Sequence, residues 1–319
     1  MIEVKNLTKR YGNHLAVDHL NFTVESGKIY GFLGPNGAGK STTMNIMTGY
    51  LGATEGQVLI DGHDILQEPE EAKKNIGYLP EIPPLYMEMT VREYLEFAAE
   101  LKGIKKDKRE PQIEEVIRLA KLRAVENRLI QNLSKGYKQR VGLAQAVLGF
   151  PEIIILDEPT VGLDPKQIIE IRELIRKLAK KHTVILSSHI LAEVREVCDY
   201  IMIISGGKLV ASDTTENLEN MMSGKGQIEV EAKASRDEMD HIIRRTGKIK
   251  EVKYRTSASS ITTAQIIAKG GEDIREELFL AFSHADVPML TLNQSKTTLE
   301  EIFLELTQGS GNRMIKEEK

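Results

Sequence analysis

The segment GPNGAGKST at residues 34–42 constrains the fold of this chain more than any other stretch. It fits the pattern G-x-x-x-x-G-K-[ST] and lies between KIYGFLG and KSTTMNIMTG, which read as a buried strand and a helix. In that setting the glycines let successive backbone N–H groups converge on phosphate oxygens, and the helix start adds a partial positive charge. The sequence therefore predicts an α/β unit that binds a nucleoside triphosphate.

Particular residues of this loop have predicted roles. Lys40 is expected to reach the β and γ phosphates, and the Ser41 hydroxyl to ligate Mg²⁺. The other predicted nucleotide contacts in the loop are Asn36, Gly37, Ala38, Gly39 and Thr42. A glycine turn with an ordinary lysine is the alternative that the motif alone leaves open.

Two acidic residues follow the apolar run IIIL at 153–156. Ligands of open α/β sheets collect at the carboxyl ends of the strands, so Asp157 is predicted to hold the Mg²⁺ shell. Glu158 next to it is predicted to be the catalytic base that accepts a proton from an attacking water. Taken alone, two acids after a strand could equally be part of a loop or a helix cap.

The composition sets limits on the class of protein. With 319 residues, 41% of them hydrophobic and 28% charged, the chain can build about two globular domains. Its net charge of -4 gives no sign of nucleic-acid binding, and none is expected. The single cysteine, the lack of a signal-peptide pattern at the start and the short apolar runs lead us to expect a cytoplasmic protein.

The domain organisation follows from the alternation of strand and helix patterns. Residues 1–217 are predicted to form a mostly parallel sheet with an antiparallel β subdomain, and a helical subdomain covers about 90–149. A polar linker is placed at 218–226, an accessory domain at 227–308 and a flexible tail at 309–319.

The accessory domain is predicted to have a ferredoxin-like α+β fold, because its segments follow the order βαββαβ. The predicted strands are 227–232, 249–255, 262–268 and 288–294, and the predicted helices are 236–246 and 272–286. A last helix is expected to carry Leu299, Ile302, Phe303 and Leu306.

Four segments, GPNGAGKST, LSKGYKQR, IIILDEPTVGLDP and SSHI, resemble in order and spacing the nucleotide-binding subunit of ABC transporters. The resemblance covers about residues 1–217 and implies an ATPase that uses ATP and Mg²⁺. It further implies that Tyr11 stacks on adenine, Asp164 lies at a contact between subunits, and His189 touches the γ phosphate as a catalytic residue.

The segment LSKGYKQR at 133–140 is the family's signature in a variant form. Ser134 is a plausible helix N-cap, so the free N–H groups after it could bind an anion. The resemblance implies that Ser134 and Gly136 face the γ phosphate held by a second subunit, in a head-to-tail homodimer or a dimer with a related ATPase. Lys135 and Tyr137 depart from the commoner glycine and glutamine. An ordinary capped helix is the alternative.

Glu81 is a second departure, since most relatives carry glutamine there. The resemblance implies that this residue approaches both the nucleotide and Mg²⁺, and a carboxylate can still ligate a hard cation.

By resemblance, the partner is a separate membrane-spanning permease and the ATPase lies on the inner face of the cell membrane as part of an exporter. A soluble ABC ATPase acting on ribosomes or DNA is the main alternative, and a P-loop kinase or GTPase is a further one. The accessory domain could be a sensor, a dimer-stabilising element or a docking surface.

Overall fold

A computed structural model describes residues 1–218, 227–256, 261–295, 303–304 and 307 of the chain. The chain folds into two compact units, one holding Met1–Thr214 and the other Thr215–Glu305. Leu218, the first residue of the predicted linker, is buried within a helical turn. The rest of the predicted linker, the predicted tail, and Leu299, Ile302 and Leu306 lie outside the described residues.

The first unit alternates strands and helices. Its strands are β1 (Ile2–Tyr11), β2 (His14–Val24), β3 (Ile29–Leu33), β4 (Glu55–Ile60), β5 (His63–Asp64), β6 (Ile76–Leu79), β7 (Ile153–Leu156), β8 (Thr183–Ser188), β9 (Tyr200–Ser205) and β10 (Lys208–Thr214). Its helices are α1 (Lys40–Met47), α2 (Pro69–Lys74), α3 (Val91–Leu101), α4 (Lys106–Leu119), α5 (Lys135–Val147), α6 (Pro165–Leu178) and α7 (Leu191–Val197).

The central sheet has the strand order β10-β9-β3-β8-β7-β6, in which only β10 is antiparallel to its neighbour. Every residue of β3, β7 and β8 is buried, as expected of a parallel sheet with both faces covered. Strands β3 and β7 are the two apolar stretches KIYGFLG and IIIL of the sequence analysis. No strand was predicted at β6, whose four residues include a glycine and carry too short a pattern.

A second sheet in this unit is antiparallel, with the order β2-β1-β4-β5. Ile2 and Val4 of β1 are buried as alternating residues, and Leu7 is buried beyond a shift in the pairing register with β2. The predicted antiparallel β subdomain is confirmed.

The helical segment is confirmed as α3, α4 and α5, joined by 3-10 turns at Arg123–Val125 and Ile130–Asn132. Helix α3 begins with a capping box, in which Thr90 and Glu93 bond each other's backbone N–H groups. Ile113, Val116 and Ile117 of α4 are buried, and their spacing places them on one face of an amphipathic helix.

The second unit contains the strands β11 (Gln227–Ala232), β12 (Ile249–Thr256), β13 (Thr262–Ala268) and β14 (Met289–Ser295) and the helices α8 (Arg236–Arg244) and α9 (Arg275–His284). Its sheet order is β12-β13-β11-β14, with every pair antiparallel. The first strand thus lies between the third and the fourth, which confirms the predicted ferredoxin-like module. Met239, Ile243, Leu278 and Phe282 from the two helices belong to its buried core.

No helix within the described part of the chain is long and apolar enough to cross a bilayer.

Candidate functional site

The candidate site lies where four neighbouring parallel strands end. Strands β3, β8, β7 and β6 are adjacent, so the residues that follow them meet at one edge of the sheet. Gly34 follows β3, Asp157 follows β7, Pro80 follows β6, and His189 follows β8. Segments far apart in sequence are thereby brought together.

The phosphate loop connects β3 to α1, and the position of its last glycine leaves no room for a side chain. Gly39 has a φ of 103°, and a Cβ there would lie 2.6 Å from the Ala16 carbonyl oxygen. Helix α1 begins at the next residue, Lys40, which is buried. The Lys40 ammonium donates to the carbonyl oxygens of Gly34 at 2.8 Å and Pro35 at 3.2 Å. A charged nitrogen therefore lies at the base of the loop.

Asp157 lies beside the loop, held by two serine hydroxyls. Ser187 Oγ donates to Asp157 Oδ1 at 2.5 Å, and Ser41 Oγ lies 3.3 Å from the same oxygen. Burial raises the pKa of Asp157, and the two hydroxyls partly oppose that rise. A carboxylate and a hydroxyl at this spacing are the hard oxygen donors that Mg²⁺ prefers, so these residues fit the predicted ion.

The protein supplies few ligands of its own for a metal. Within the described residues no group of three or more His, Cys, Asp or Glu side chains could hold a metal ion. In nucleotide-dependent sites in general, Mg²⁺ is held by one or two side chains together with substrate phosphates and water.

Glu158 has an unusual backbone and three well-placed neighbours. Its φ is 47°, a left-handed conformation that costs a non-glycine residue on the order of 1 kcal/mol. Its N–H donates to Ser187 Oγ at 2.8 Å, which fixes this conformation. Its buried carboxylate lies 3.4 Å from Lys40 Nζ and 2.9 Å from His189 Nδ1. The predicted base thus contacts both the loop lysine and the predicted catalytic histidine.

Ser187 is the functional candidate that the sequence reasoning missed. It is fully buried and bonds both acids, accepting from the Glu158 N–H and donating to Asp157. The stretch SSHI placed it two residues before His189, but only the adjacency of β7 and β8 shows that it lies under the acidic pair.

A cavity of about 550 Å³ opens above these groups. The predicted site residues that line it are Tyr11, Asn36, Gly37, Gly39, Lys40, Ser41, Thr42, Glu81, Glu158 and His189. His14, Ala16 and Val161 also line it and were not predicted. Ala38 is buried, and Asp157 lines a neighbouring cleft together with Ser41 and Glu81. The volume is in the range of ordinary small-molecule sites.

Four predicted nucleotide contacts do not line this cavity: Ala38 of the loop itself, and Ser134, Gly136 and Asp164 outside the loop. Ser134 caps α5, accepting the Tyr137 N–H at 3.5 Å, and Asp164 caps α6, accepting the Gln167 N–H at 2.9 Å. A Cβ on Gly136 would lie 2.4 Å from the Gln167 side chain, so the starts of the two helices pack together. The chain therefore carries two separate groups of predicted phosphate contacts.

Known proteins with similar sequences and folds belong to one family. The ABC transporter family pattern covers residues 17–161. The bacitracin transport ATP-binding protein BcrA of Bacillus licheniformis is 42% identical over 221 residues, which is 69% of this chain and 71% of BcrA. The uncharacterized ABC transporter ATP-binding protein YcbN of Bacillus subtilis (strain 168) is 31% identical over 312 residues, 97% of this chain and 98% of YcbN.

Among solved structures, the dimeric ATP-binding cassette MJ0796 in a post-hydrolysis state with ADP and Pi superposes with a TM-score of 0.61. It is 28% identical, and the match covers 67% of this chain and 98% of MJ0796. The chain belongs to the ABC transporter ATP-binding proteins. It is an ATPase with the nucleotide-binding cassette of that family.

Proposed function

We propose that this chain is the ATP-hydrolysing subunit of an ABC exporter, and that ATP-driven closure and opening of a head-to-tail dimer moves a separate membrane-spanning permease. The subunit would work at the inner face of the cell membrane. Its dimer partner is a second copy or a related ATPase.

The observation that supports this most is the separation of the two groups of phosphate contacts. Lys40, Ser41 and Glu158 line the cavity, whereas Ser134, the N-cap residue of α5, does not line it and is exposed. The first turn of α5 presents backbone N–H groups that no helical carbonyl can satisfy, a favourable place for an anion. A second chain that brings its own nucleotide to this helix start would complete both sites at once.

Within one site, the chain's residues have distinct tasks. Lys40 would exchange its carbonyl partners for the β and γ phosphates, which would release Glu158 from its contact with the ammonium. The Glu158 carboxylate could then take a proton from the attacking water. His189 Nδ1 already contacts Glu158 and would orient it and approach the γ phosphate. Mg²⁺ held by Ser41, Asp157 and Glu81 would supply neutralisation of phosphate charge. Tyr11, half exposed at the rim, would stack on adenine.

A second cleft, of about 540 Å³, is the proposed dock for the membrane partner. Its lining includes Tyr50 and Ile82, whose side chains are 81% and 82% exposed. Large apolar side chains at such exposure, grouped around one cleft, are typical of an interaction site. Glu81 lines both this cleft and the nucleotide cavity, so a partner bound in the cleft could shift a residue beside the phosphates.

The dimer is tested with Glu158→Gln. This variant should bind ATP, lose hydrolysis by about a hundredfold or more, and elute as a dimer with Mg²⁺-ATP and as a monomer with ADP. Adding Ser134→Asp keeps a good helix cap but places a negative charge against the phosphate, so the double variant should remain monomeric. ATP-bound Glu158→Gln that stays monomeric at every concentration would contradict the proposal.

The membrane partner is tested by co-purification and by its effect on hydrolysis. The permease should stimulate the ATPase, and Ile82→Asp should abolish the stimulation while leaving basal hydrolysis unchanged. Leu101→Asp is the matched control, since Leu101 is 72% exposed and does not line the cleft. Equal loss of stimulation in both variants would place the dock elsewhere.

A further inference from the structure

The ferredoxin-like module has one sheet face covered by its helices and one that they leave uncovered. On β11 the buried residues are Ile228, Val230 and Ala232, which belong to the core with α8 and α9. Because side chains alternate along a strand, Glu229 and Glu231 point to the other face. On β13, Thr263 and Gln265 are half-buried and alternate with buried residues in the same way.

The edge strand β12 shows the same alternation with the opposite charge. Val252 and Tyr254 pack against the core, and Lys253 and Arg255 are exposed on the uncovered face. Glu251 is on that face too, since its carboxylate lies 3.5 Å from Lys253 Nζ.

The register sets these residues in two rows across three strands. Lys253 pairs with Gln265, and Gln265 pairs with Glu229. In the next row, Arg255 pairs with Thr263, which pairs with Glu231. Each row therefore runs from a cation on β12, through a neutral residue on β13, to a carboxylate on β11.

Among the described residues, the ion pair on this face joins Lys253 to Glu251 on the same strand, and none joins the opposite charges of a row. Neighbouring strands lie about 4.8 Å apart, so the backbones of β12 and β11 are separated by roughly 10 Å, and an ion pair between them would require both side chains to extend fully along the sheet. The carboxylates instead make weak contacts with neutral neighbours: Gln265 Nε2 lies 3.5 Å from Glu229, and Thr291 Oγ1 lies 3.2 Å from Glu231.

We propose that this face binds the same face of a second copy of the chain. A two-fold axis parallel to β13 and above it places each copy's β12 opposite the partner copy's β11. Lys253 of each copy then faces Glu229 of the other copy, and Arg255 of each faces Glu231 of the other. Gln265 lies on the axis, opposite Gln265 of the second copy. An isologous contact requires such a self-complementary surface.

The expected strength of this contact is low for an isolated module. Ion pairs between exposed side chains are individually weak, and this face offers little apolar area. When two ATPase units dimerise, the modules attached to them are held close together, and their high effective concentration favours the contact. In that respect the inference rests on the proposed function. The module contact would then reinforce the pairing of two ATP-bound subunits, and it would be too weak to keep ADP-bound subunits together on its own.

The test is a cross-link on the axis. Gln265→Cys in the full chain should be joined into a dimer by a bismaleimide with a spacer of about 10 Å, because packed sheets lie about 10 Å apart and thiols opposed on the axis come within its reach. The native Cys198 is buried and should not interfere. Ser283→Cys, exposed on α9, is the control and should cross-link far more slowly.

Charge variants in the Gln265→Cys background make the test specific. Lys253→Glu with Arg255→Glu makes both charged strands acidic, and Glu229→Lys with Glu231→Lys makes both basic. Each double variant alone should cross-link about tenfold more slowly, since four attractive pairs become repulsive. An equal mixture of the two should recover about half of the original rate, because half of the encounters pair one chain of each kind, and the cross-link should join unlike chains.

Three results would overturn the proposal: no cross-link in the Gln265→Cys variant, equal rates for the charge variants alone and mixed, or an introduced thiol that maleimide cannot reach because the face is covered within its own chain. All variants should keep basal ATP hydrolysis and the circular-dichroism spectrum of the unmodified chain, which together show that both units fold. If Glu158→Gln still dimerises with ATP while the cross-link fails, the face contact is wrong and the proposed function stands.

Discussion

Replacing Ser187 with alanine should disturb both acids of the catalytic site at once. The hydroxyl is fully buried, accepts from the Glu158 N–H at 2.8 Å and donates to Asp157 at 2.5 Å. Its removal leaves a buried N–H unpaired, which costs about 1–3 kcal/mol, and takes a donor from a carboxylate, which costs a similar amount. We expect the free energy of unfolding to fall by about 3 kcal/mol.

The effect on hydrolysis follows from the backbone of Glu158. Its left-handed conformation is held by the bond to Ser187, and without that bond the carboxylate can shift relative to the phosphate. A displacement of about 1 Å at a catalytic group can lower kcat by about a hundredfold. Losing the Ser187 donor also raises the pKa of Asp157 further, so more Mg²⁺ should be needed for half-maximal rate.

The assay pairs urea unfolding with steady-state hydrolysis at increasing Mg²⁺. Ser188→Ala is the matched control, since Ser188 is equally buried but its hydroxyl bonds Glu193 and the Ile190 N–H. The control should lose comparable stability and keep its Mg²⁺ dependence. If the two variants shift the Mg²⁺ dependence equally, or if Ser187→Ala shifts neither quantity, the positioning role assigned to Ser187 is wrong.

Two other substitutions test the packing and the charge of the same unit. Gly77→Ala should lower the free energy of unfolding by about 3 kcal/mol, because its Cβ would lie 2.1 Å from the Ala146 carbonyl oxygen, whereas Gly52→Ala, with open space around it, should change little in urea unfolding. Asp157→Asn should abolish hydrolysis but stabilise the nucleotide-free protein at neutral pH. Burial raises the pKa of Asp157, so the folded state holds a proton that the unfolded chain releases above 3.8, and stability falls as pH rises toward the raised value. Urea unfolding across this pH range should show that the free energy of unfolding falls with pH in the wild type and falls less steeply in Asp157→Asn. Equal pH dependence in the two proteins would refute the role assigned to the Asp157 proton.

Local patterns were sufficient to predict most of the fold. The strand before Gly34, the helix after Lys40 and the βαββαβ order of the second unit depend on periodicity and turn residues, which act over short distances. The short strand β6 escaped prediction because four residues carry too little pattern, and its place at the sheet edge depends on pairing with β7, more than 70 residues away in sequence.

The residues of the site could be predicted from sequence where a motif specifies them individually. The loop, the acidic pair and His189 could be selected from sequence, and the structure brings Lys40, Glu158 and His189 to one cavity and Asp157 to the cleft beside it. The role of Ser187 and the positive φ of Glu158 could not, because both follow from how β7 lies against β8. The location of Ser134 away from the cavity is likewise a property of the folded unit. The charged rows of the second unit needed the strand register, which no local pattern specifies.

The composite nucleotide site is tested most directly by mixing two inactive chains. Lys40→Ala should be inactive because its own loop cannot hold the phosphates, and Ser134→Asp because it repels the nucleotide of its partner. In a head-to-tail dimer, one site of each mixed pair combines an intact loop with an intact Ser134. Random mixing in equal amounts should therefore restore hydrolysis to about a quarter of the wild-type rate per chain if the two sites work independently. A mixture as inactive as its parts, at concentrations where mixed dimers form, would contradict the account.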